Sequence, residues 1–324
     1  MSEDQTESLK ALLPPHVAER LQSLRLTEGR AVLVCDASGL SALDRDKLEI
    51  AAKDSLRGAK GVSEVRVAMT ADKVRRRIIA VASGKGGVGK STVAANIAVA
   101  LSREGRKVGL VDADIYGPSQ ARLLSTEGER PKASENQLIP VFSPWGLPML
   151  SMAHLADPGQ AIAWRGPMAG NALVQMLEAA WGPAEVLIVD MPPGTGDIQL
   201  TMIQRFKPDG AVIVSTPQDL ALMDATRAIE LFDKGDVPII GLVENMSGYV
   251  CPHCGEVSDP FGSGGAQAVA GGMEHPFLGR IPLALEIRQD SDAGCPPAAG
   301  EGEQGEAFRA IAARISTWLD GGAP

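Results

Sequence analysis

The chain contains few cysteines, few aromatic residues and no excess of basic charge. Four cysteines among 324 residues are too few for a disulfide framework. Aromatic residues make up only 4% of the sequence, which predicts a core built mainly from aliphatic side chains and alanine. The formal net charge of −9 argues against a nucleic-acid partner, because phosphate binding needs clustered Lys and Arg.

Long hydrophobic runs are also absent. No apolar stretch is long enough to span a bilayer, and residues 1–20 lack the basic-then-apolar order of a signal peptide. The sequence therefore predicts a cytoplasmic protein without a membrane partner. In a reducing compartment, a closely spaced pair of cysteines more often indicates metal or redox chemistry than a disulfide.

The chain is long enough for one large domain and one small domain. Residues 1–72 are predicted to form a small α+β unit in which helices and strands alternate. Nothing in its pattern indicates a catalytic site. Its elements are expected at Glu7–Leu24 (helix), Arg30–Cys35 (strand), Asp44–Arg57 (helix) and Val62–Met69 (strand).

Residues 73–324 are predicted to form an α/β domain with a mostly parallel central sheet flanked by helices. Short Val- and Ile-rich runs alternate there with helical stretches, and continuous runs of this kind are typical of strands buried on both faces. Ligands are then expected at the carboxyl ends of the strands. The pattern weakens between Thr126 and Gly170, which predicts loops beside that edge. The predicted strands are Ile78–Ala82, Val108–Val111, Val186–Val189, Ala211–Val214 and Ile239–Val243.

A phosphate-binding motif follows the first of these runs. The segment GKGGVGKST fits the pattern G-x-x-x-x-G-K-S/T and lies between a buried strand and the helical stretch Val93–Leu101. Glycines let successive N–H groups point into one concavity, and the helix adds its positive end. We expect Lys90 to reach the β- and γ-phosphates of ATP and the Ser91 hydroxyl to bind Mg²⁺. The expected nucleotide-binding residues are Gly84, Lys85, Gly86, Gly87, Val88, Gly89, Lys90, Ser91 and Thr92.

The additional lysine of this loop, Lys85, departs from an ordinary P-loop. With it the sequence resembles the deviant Walker A ATPases, a P-loop NTPase group that includes MinD, ParA and ArsA. The resemblance implies that Lys85 crosses a dimer interface to the partner's nucleotide. Charge on a transferring phosphoryl group needs such an added cation.

Three aspartates follow buried strands near this loop. Asp112 and Asp114 end one run, and Asp190 ends another and leads into the segment Met191–Asp197. By resemblance, Asp114 is the catalytic residue that positions water, Asp112 supports it near Mg²⁺, and Asp190 holds Mg²⁺ through water. Helix N-capping is the alternative for all three. The resemblance also suggests that the Gly194 N–H faces the γ-phosphate.

Asn245 follows the strand Ile239–Val243. It resembles the asparagine with which this group reads adenine, so it is added to the expected nucleotide-binding residues. The alternative is an ordinary turn residue.

Cys251 and Cys254 form a C-x-x-C pair in the segment Cys251-Pro252-His253-Cys254-Gly255. A tight turn of this kind aims two thiolates at one point but supplies only half of a four-ligand site. Two copies related by a two-fold axis would supply four thiolates, enough for Zn²⁺ or a [4Fe–4S] cluster. The alternatives for this pair are a redox dithiol and a loop that binds no ligand.

Together these motifs resemble the Mrp/ApbC family of iron–sulfur cluster carriers, over about residues 75–320. The resemblance implies an ATP-hydrolysing carrier that uses Mg²⁺, binds a [4Fe–4S] cluster at a homodimer interface and transfers it to apo iron–sulfur proteins. The alternatives are a MinD/ParA-type positioning ATPase and a zinc-bridged dimeric ATPase. Beyond the P-loop, the resemblance depends on Asp112–Ser119, Trp164-Arg165-Gly166-Pro167-Met168, Asp190–Asp197 and the cysteine pair.

Overall fold

The structure is a computed structural model that describes residues 3–27, 29–37, 40, 42–70, 75–134, 137–155, 166–251 and 253–324. It divides into two compact units, Met1–Arg75 and Arg76–Pro324. The boundary expected from the sequence lay between residues 72 and 73. Among the described residues, none of the helices has the length and apolar character that a membrane crossing requires.

The smaller unit has a three-stranded sheet in the order β1-β2-β3, with the first pair antiparallel and the second parallel. The predicted single helix Glu7–Leu24 was wrong, because Pro14 and Pro15 interrupt it and the following residues alternate as a strand. Cys35 lies fully buried in this unit's core. Its elements are α1 Glu3–Lys10, α2 Pro15–Ala18, β1 Leu21–Thr27, β2 Arg30–Asp36, α3 Ala42–Leu56 and β3 Glu64–Thr70.

The larger unit is built on a sheet whose eight described strands have the order β15-β12-β11-β4-β10-β5-β9-β8. All neighbours are parallel except β8 and β9. The predicted parallel α/β fold is therefore confirmed, and each of the five predicted strands is present. The strands are β4 Arg77–Ala82, β5 Val108–Asp112, β6 Lys132–Ser134, β7 Gln137–Ile139, β8 Val141–Phe142, β9 Pro148–Ser151, β10 Val186–Asp190, β11 Gly210–Ser215, β12 Ile239–Glu244, β13 Tyr249–Val250, β14 Val257–Ser258 and β15 Phe277–Arg280.

Helices cover both faces of this sheet. On one face, Ile79 and Val81 of β4 pack in a cluster with side chains of α4 and α12. On the other, Ala80 and Ala82 pack with side chains of α7 and α9. Burial on both faces explains why the strand is apolar at successive positions. The helices are α4 Lys90–Arg103, α5 Gln120–Leu123, α6 Met152–Leu155, α7 Gly166–Leu177, α8 Asp197–Thr201, α9 Asp219–Lys234, α10 Gly265–Gly272, α11 Leu285–Asp292 and α12 Glu303–Leu319, with a π-helix at Met202–Phe206 and a 3₁₀-helix at Pro297–Ala299.

The stretch between Thr126 and Gly170 was predicted to form loops, and this prediction is wrong for the parts of it that form strands. It contains a hairpin of β6 and β7, and the antiparallel pair β8–β9 that extends the main sheet beyond β5. These strands have two to four residues each, too few to show a hydrophobic period. Trp164 and Arg165 of the expected motif lie outside the described residues.

Candidate nucleotide site and cysteine hairpin

The phosphate-binding loop connects β4 to α4, as the sequence predicts. Gly87 and Gly89 have φ of +82° and +78°, a left-handed conformation that favours glycine. Gly84 is needed for another reason, since a Cβ there would lie 2.1 Å from the backbone carbonyl of Asp224 in α9. The loop is therefore held tightly against α9. Its N–H groups precede the N-terminus of α4, which begins at Lys90.

Lys90 is only 6% exposed and points into a group of carboxylates. Its ammonium forms an ion pair with Asp190, lies 3.3 Å from the Ser91 hydroxyl oxygen and lies 3.8 Å from Asp114 Oδ2. The structure thus brings together four of the predicted site residues. They come from α4 and from the ends of β5 and β10.

Asp112 and Asp190 occupy paired positions in the neighbouring parallel strands β5 and β10, and both are fully buried. Burial, followed by the negative charge of Asp190, raises the pKa of Asp112 to about 7. The Ser151 hydroxyl donates to Asp112 Oδ2 at 2.8 Å and opposes this rise. Ser91 offers a hydroxyl oxygen, and Asp112 and Asp190 offer carboxylate oxygens. Oxygen atoms of these kinds are the ligands that Mg²⁺ prefers, so the residues present fit this cation.

Asp114 is held in one orientation by its own turn. Its Oδ1 accepts hydrogen bonds from the backbone N–H groups of Tyr116 at 3.1 Å and Gly117 at 3.3 Å. Its Oδ2 is the atom that faces Lys90. The carboxylate is therefore fixed beside the phosphate-binding lysine.

Two residues of this site were missed by the sequence analysis. Gln120 donates from Nε2 to the Ser91 carbonyl oxygen and to Asp190 Oδ2, each at 2.8 Å, and from its backbone N–H to Asp112 Oδ2 at 3.0 Å. Ser151 contacts Asp112 from β9, a strand that was not predicted. Gln120 directly follows the segment Asp112–Ser119, so its proximity in sequence was a signal that could have been used.

The segment after Asp190 lies against the phosphate-binding loop. The Gly194 N–H donates to the Ser83 carbonyl oxygen at 2.9 Å. The N–H expected to face a γ-phosphate is thus hydrogen-bonded within the chain. Lys85 is half-buried, and its amino group forms no ion pair within the described ranges.

Asn245 reaches the phosphate-binding loop from the end of β12. Its amide nitrogen donates to the Val88 carbonyl oxygen at 2.8 Å, and a Cβ on Gly89 would lie 2.1 Å from the same nitrogen. The residue is buried. In this structure the side chain predicted to read adenine supports the loop.

Glu244 precedes Asn245 and is a fully buried carboxylate. It accepts hydrogen bonds from the N–H groups of Gly264 and Ala266 and from the Ser247 hydroxyl, at 2.8–2.9 Å. The Arg280 guanidinium adds a contact at 3.1 Å. Burial opposes ionisation of Glu244, but these donors outweigh it and lower its pKa.

The cysteine pair lies at the turn of a small antiparallel hairpin of β13 and β14. The Cys251 N–H donates to the Glu256 carbonyl oxygen, and the Gly255 N–H donates back to the Cys251 carbonyl oxygen. Cys254 is exposed and Cys251 is half-buried. Hydrogen bonds from the N–H groups of His253 and Cys254, and from the Cys254 side chain, lower the pKa of Cys251. Across the described parts of the chain, no three or more His, Cys, Asp or Glu residues are grouped so that they could hold a metal.

Residues 74–316 match the family model described as the NUBPL iron-transfer P-loop NTPase. The chain belongs to this family. It is 44% identical to the iron–sulfur cluster carrier protein of Deinococcus radiodurans, over 84% of this chain and 81% of that protein. It is 47% identical to the iron–sulfur cluster carrier protein of Escherichia coli K12, over 75% of this chain and 67% of that protein.

Solved structures agree with the iron-transfer family assignment at the level of the fold. The Archaeoglobus fulgidus nucleotide-binding protein in complex with ADP superposes with a TM-score of 0.62 and 37% identity, covering 72% of this chain and 91% of that one. The cell division ATPase MinD of Pyrococcus furiosus gives a TM-score of 0.55 at 25% identity, covering 75% and 99%. The predicted resemblance to the Mrp/ApbC family of iron–sulfur cluster carriers, which are related in fold to MinD and ParA, is confirmed.

Proposed function

We propose that this protein is an ATP-dependent iron–sulfur cluster carrier. It binds a [4Fe–4S] cluster as cargo between two copies of the chain, transfers it to apo iron–sulfur proteins and hydrolyses ATP with Mg²⁺. The observation that carries the proposal is the position of the cysteine hairpin. Cys251 lies six residues after Asn245, whose side chain supports the phosphate-binding loop. One short segment therefore joins a nucleotide site to a pair of surface thiols.

The nucleotide chemistry is assigned to residues that already lie together. Lys90 would bind the phosphates, and Ser91, Asp112 and, through water, Asp190 would hold the cation. When bound there, Mg²⁺ would supply positive charge to offset the charge that develops on the transferred phosphoryl group. Asp114, fixed by its turn and facing Lys90, positions the attacking water. Lys85 acts on the nucleotide of the partner copy, which is consistent with the lack of an ion pair for it among the described residues.

The cluster site is assigned by ligand number. Each chain offers Cys251 and Cys254 at a turn with thiol groups accessible to solvent, and a [4Fe–4S] cluster is held by four thiolates. Two chains related by a two-fold axis supply that number. The lowered pKa of Cys251 favours the thiolate, which is the form that binds metal.

Nucleotide and cluster are coupled through residues 244–251. Glu244 anchors the end of β12 to the N-terminus of α10, and Asn245 contacts the phosphate-binding loop. Farther along, the Leu283 N–H donates to the Gly248 carbonyl oxygen, and Tyr249 begins the hairpin. A shift of the loop on nucleotide binding is therefore transmitted to the base of the hairpin. This contact path supports control of cluster stability by ATP.

Anaerobic reconstitution with iron and sulfide tests the cluster assignment. The parent protein is expected to become a brown dimer with about four irons per two chains. Cys251→Ala and Cys254→Ala should each lose the colour and the iron, whereas the matched control Cys295→Ala, at an exposed cysteine outside the hairpin, should keep both. A colourless parent that binds one zinc per dimer would instead support the zinc-bridged alternative.

Transfer to a recipient is tested separately. The reconstituted dimer is mixed with an apo protein that gains activity on receiving a [4Fe–4S] cluster, with and without Mg·ATP. Recovery of recipient activity at a rate that depends on Mg·ATP is expected. A stable cluster that never leaves the dimer under either condition contradicts the carrier function while leaving the cluster site intact.

A further inference from the structure

Gln120 is a fully buried residue for which the chemistry proposed above gives no role. It begins α5, directly after the strand-end segment that contains Asp112 and Asp114. Its amide nitrogen contacts the Ser91 carbonyl oxygen and Asp190 Oδ2, and its backbone N–H contacts Asp112. One residue therefore joins the start of α4 to the ends of β5 and β10.

The two partners of the Gln120 amide determine its orientation. Both atoms facing Nε2 are acceptors, so the opposite orientation would place oxygen against oxygen. The remaining polar atom of the side chain is Oε1. It is buried and accepts no hydrogen bond from any residue that the structure describes. Such acceptors are uncommon in protein interiors, because the lost hydration is not replaced.

A buried acceptor beside these residues suits a hydrated cation. Mg²⁺ retains several water molecules when it binds to protein carboxylates, and those waters are hydrogen-bond donors. Metal sites also depend on outer residues that hold the ligands in place. Gln120 has both properties, since its nitrogen contacts a carboxylate of the site and its oxygen is an unused acceptor.

We propose that Gln120 is a positioning residue of the magnesium site. Its nitrogen holds Asp190 and the backbone of Ser91 at a fixed separation, and its oxygen accepts from the hydration shell of the cation. The inference rests on the proposed Mg·ATP site and assigns a role to a side chain within it. If this role is correct, substitution of Gln120 weakens cation binding more than it weakens nucleotide binding.

Manganese binding tests this role without measuring hydrolysis. Mn²⁺ serves as a paramagnetic probe of the magnesium site, and its affinity is measured by electron paramagnetic resonance in the presence of saturating ADP. Gln120→Met keeps the side-chain volume but removes both polar atoms. It is expected to weaken Mn²⁺ binding about tenfold. ADP affinity measured in EDTA should stay within about twofold of the parent value, because Lys90 and the loop are unchanged.

Asn96→Leu is the matched control for loss of a buried amide near the loop. The Asn96 amide donates to the Thr92 carbonyl oxygen and accepts from the Ala298 N–H, so both of its polar atoms are used. This variant should lose stability but bind Mn²⁺ as the parent does. If Gln120→Met does not fold, Gln120→Asn gives the same test, because shortening the side chain withdraws the amide from both partners.

Three results would decide against the inference or its basis. A folded Gln120 variant with the parent's Mn²⁺ affinity overturns the positioning role. So does a variant that loses ADP affinity equally with and without metal, because that pattern indicates a general disturbance of the loop. A parent that binds ADP without any dependence on Mn²⁺ or Mg²⁺ instead overturns the proposed Mg·ATP site.

Discussion

The side chain of Asn245 donates a hydrogen bond to the carbonyl oxygen of Val88, 2.8 Å away. The next residue, Gly89, passes so close to the same amide that a methyl group there would collide with it. The phosphate-binding loop is therefore supported from β12, the strand that continues into the cysteine hairpin. This contact gives Asn245 a function that does not require a nucleotide base.

Asn245→Ala is expected to weaken ATP and GTP binding by similar factors, about fivefold, because it removes one hydrogen bond that holds the loop. Equilibrium titration with fluorescent analogues of both nucleotides provides the measurement. A selective loss of ATP affinity, with GTP affinity unchanged, would instead support the adenine-reading role that the sequence suggests.

Glu244→Gln is expected to destabilise the larger unit by about 1–3 kcal/mol at pH 7, since a charged acceptor of several hydrogen bonds is replaced by a neutral amide. The pKa of Glu244 is lower in the folded state than its ordinary value of 4.5. Its contribution to stability is therefore complete above pH 4.5 and is lost as the pH falls through the folded pKa. The difference in free energy of unfolding between the parent and Glu244→Gln should therefore become smaller over that acidic range.

Tryptophan fluorescence during urea unfolding measures this effect, because all four tryptophans follow residue 140 and report on the larger unit alone. Glu301→Gln is a suitable control, since Glu301 pairs with Arg103 at the surface. Its substitution should change the free energy of unfolding by less than about 0.5 kcal/mol. If the difference in free energy of unfolding between the parent and Glu244→Gln stays constant from pH 7 to pH 3, the role assigned to the ionised Glu244 carboxylate is contradicted.

The sequence predicts the larger unit well because its strands are buried on both faces. Five continuous apolar runs, each followed directly by Ser, Asp or Glu, are unambiguous, and the P-loop identifies the edge where ligands bind. The same reasoning fails for β9, a four-residue strand that begins with a proline and ends at Ser151. Its position is determined by pairing with β5, a long-range contact that no local pattern contains.

The buried polar network of the site was only partly predictable for a similar reason. Aspartates at strand ends stand out, because a charged residue after an apolar run needs an explanation. Glu244 gives the same signal, since it directly follows the apolar run Ile239–Val243, but the sequence analysis did not use it. Gln120 has no such context, and its role follows from which backbone and side-chain groups the fold brings to it. Asn245 was predicted from a resemblance, but its contact with Val88 depends on the three-dimensional arrangement.

Lys90→Ala and Asp114→Ala are expected to have different effects on the nucleotide reaction. Lys90 supplies charge for the phosphates, so its loss should weaken ATP binding. Asp114→Ala should still bind ATP but hydrolyse it about 100-fold more slowly, because it removes the residue that positions water. Binding titrations and single-turnover hydrolysis separate the two effects. Hydrolysis by Asp114→Ala at the parent rate would exclude the catalytic assignment.

Lys85 is expected to act in the partner's site, which a mixture of inactive variants can reveal. A dimer of one Lys85→Ala chain and one Asp114→Ala chain has one complete site, contributed by both copies. If the chains assort at random in an equal mixture, roughly a quarter of the parent activity should return. The ATPase rate is measured across mixing ratios. Activity that stays at the level of the separate variants at every ratio means that Lys85 acts within its own chain.

Cys251 is expected to be alkylated at a lower pH than an ordinary thiol, whose pKa is 9.0. The N–H groups of His253 and Cys254 point at its sulfur, and they stabilise the thiolate more than the thiol. Because the thiolate is the reactive form, the rate of reaction with iodoacetamide should reach half its maximum below pH 9. Peptide mapping by mass spectrometry measures the rate at Cys251 separately from the other cysteines.

Glycine-to-proline substitution tests whether the hairpin causes this reactivity. Gly255 has φ of +74° and donates its N–H to the Cys251 carbonyl oxygen, which closes the turn. Proline has no N–H and cannot adopt that φ, so Gly255→Pro should open the turn and withdraw the donors from the Cys251 sulfur. The midpoint of alkylation should then rise toward the ordinary thiol value. Cluster reconstitution should fail in parallel, because two thiols that no longer converge cannot share one cluster. An unchanged midpoint in Gly255→Pro would show that the folded turn is not what activates Cys251.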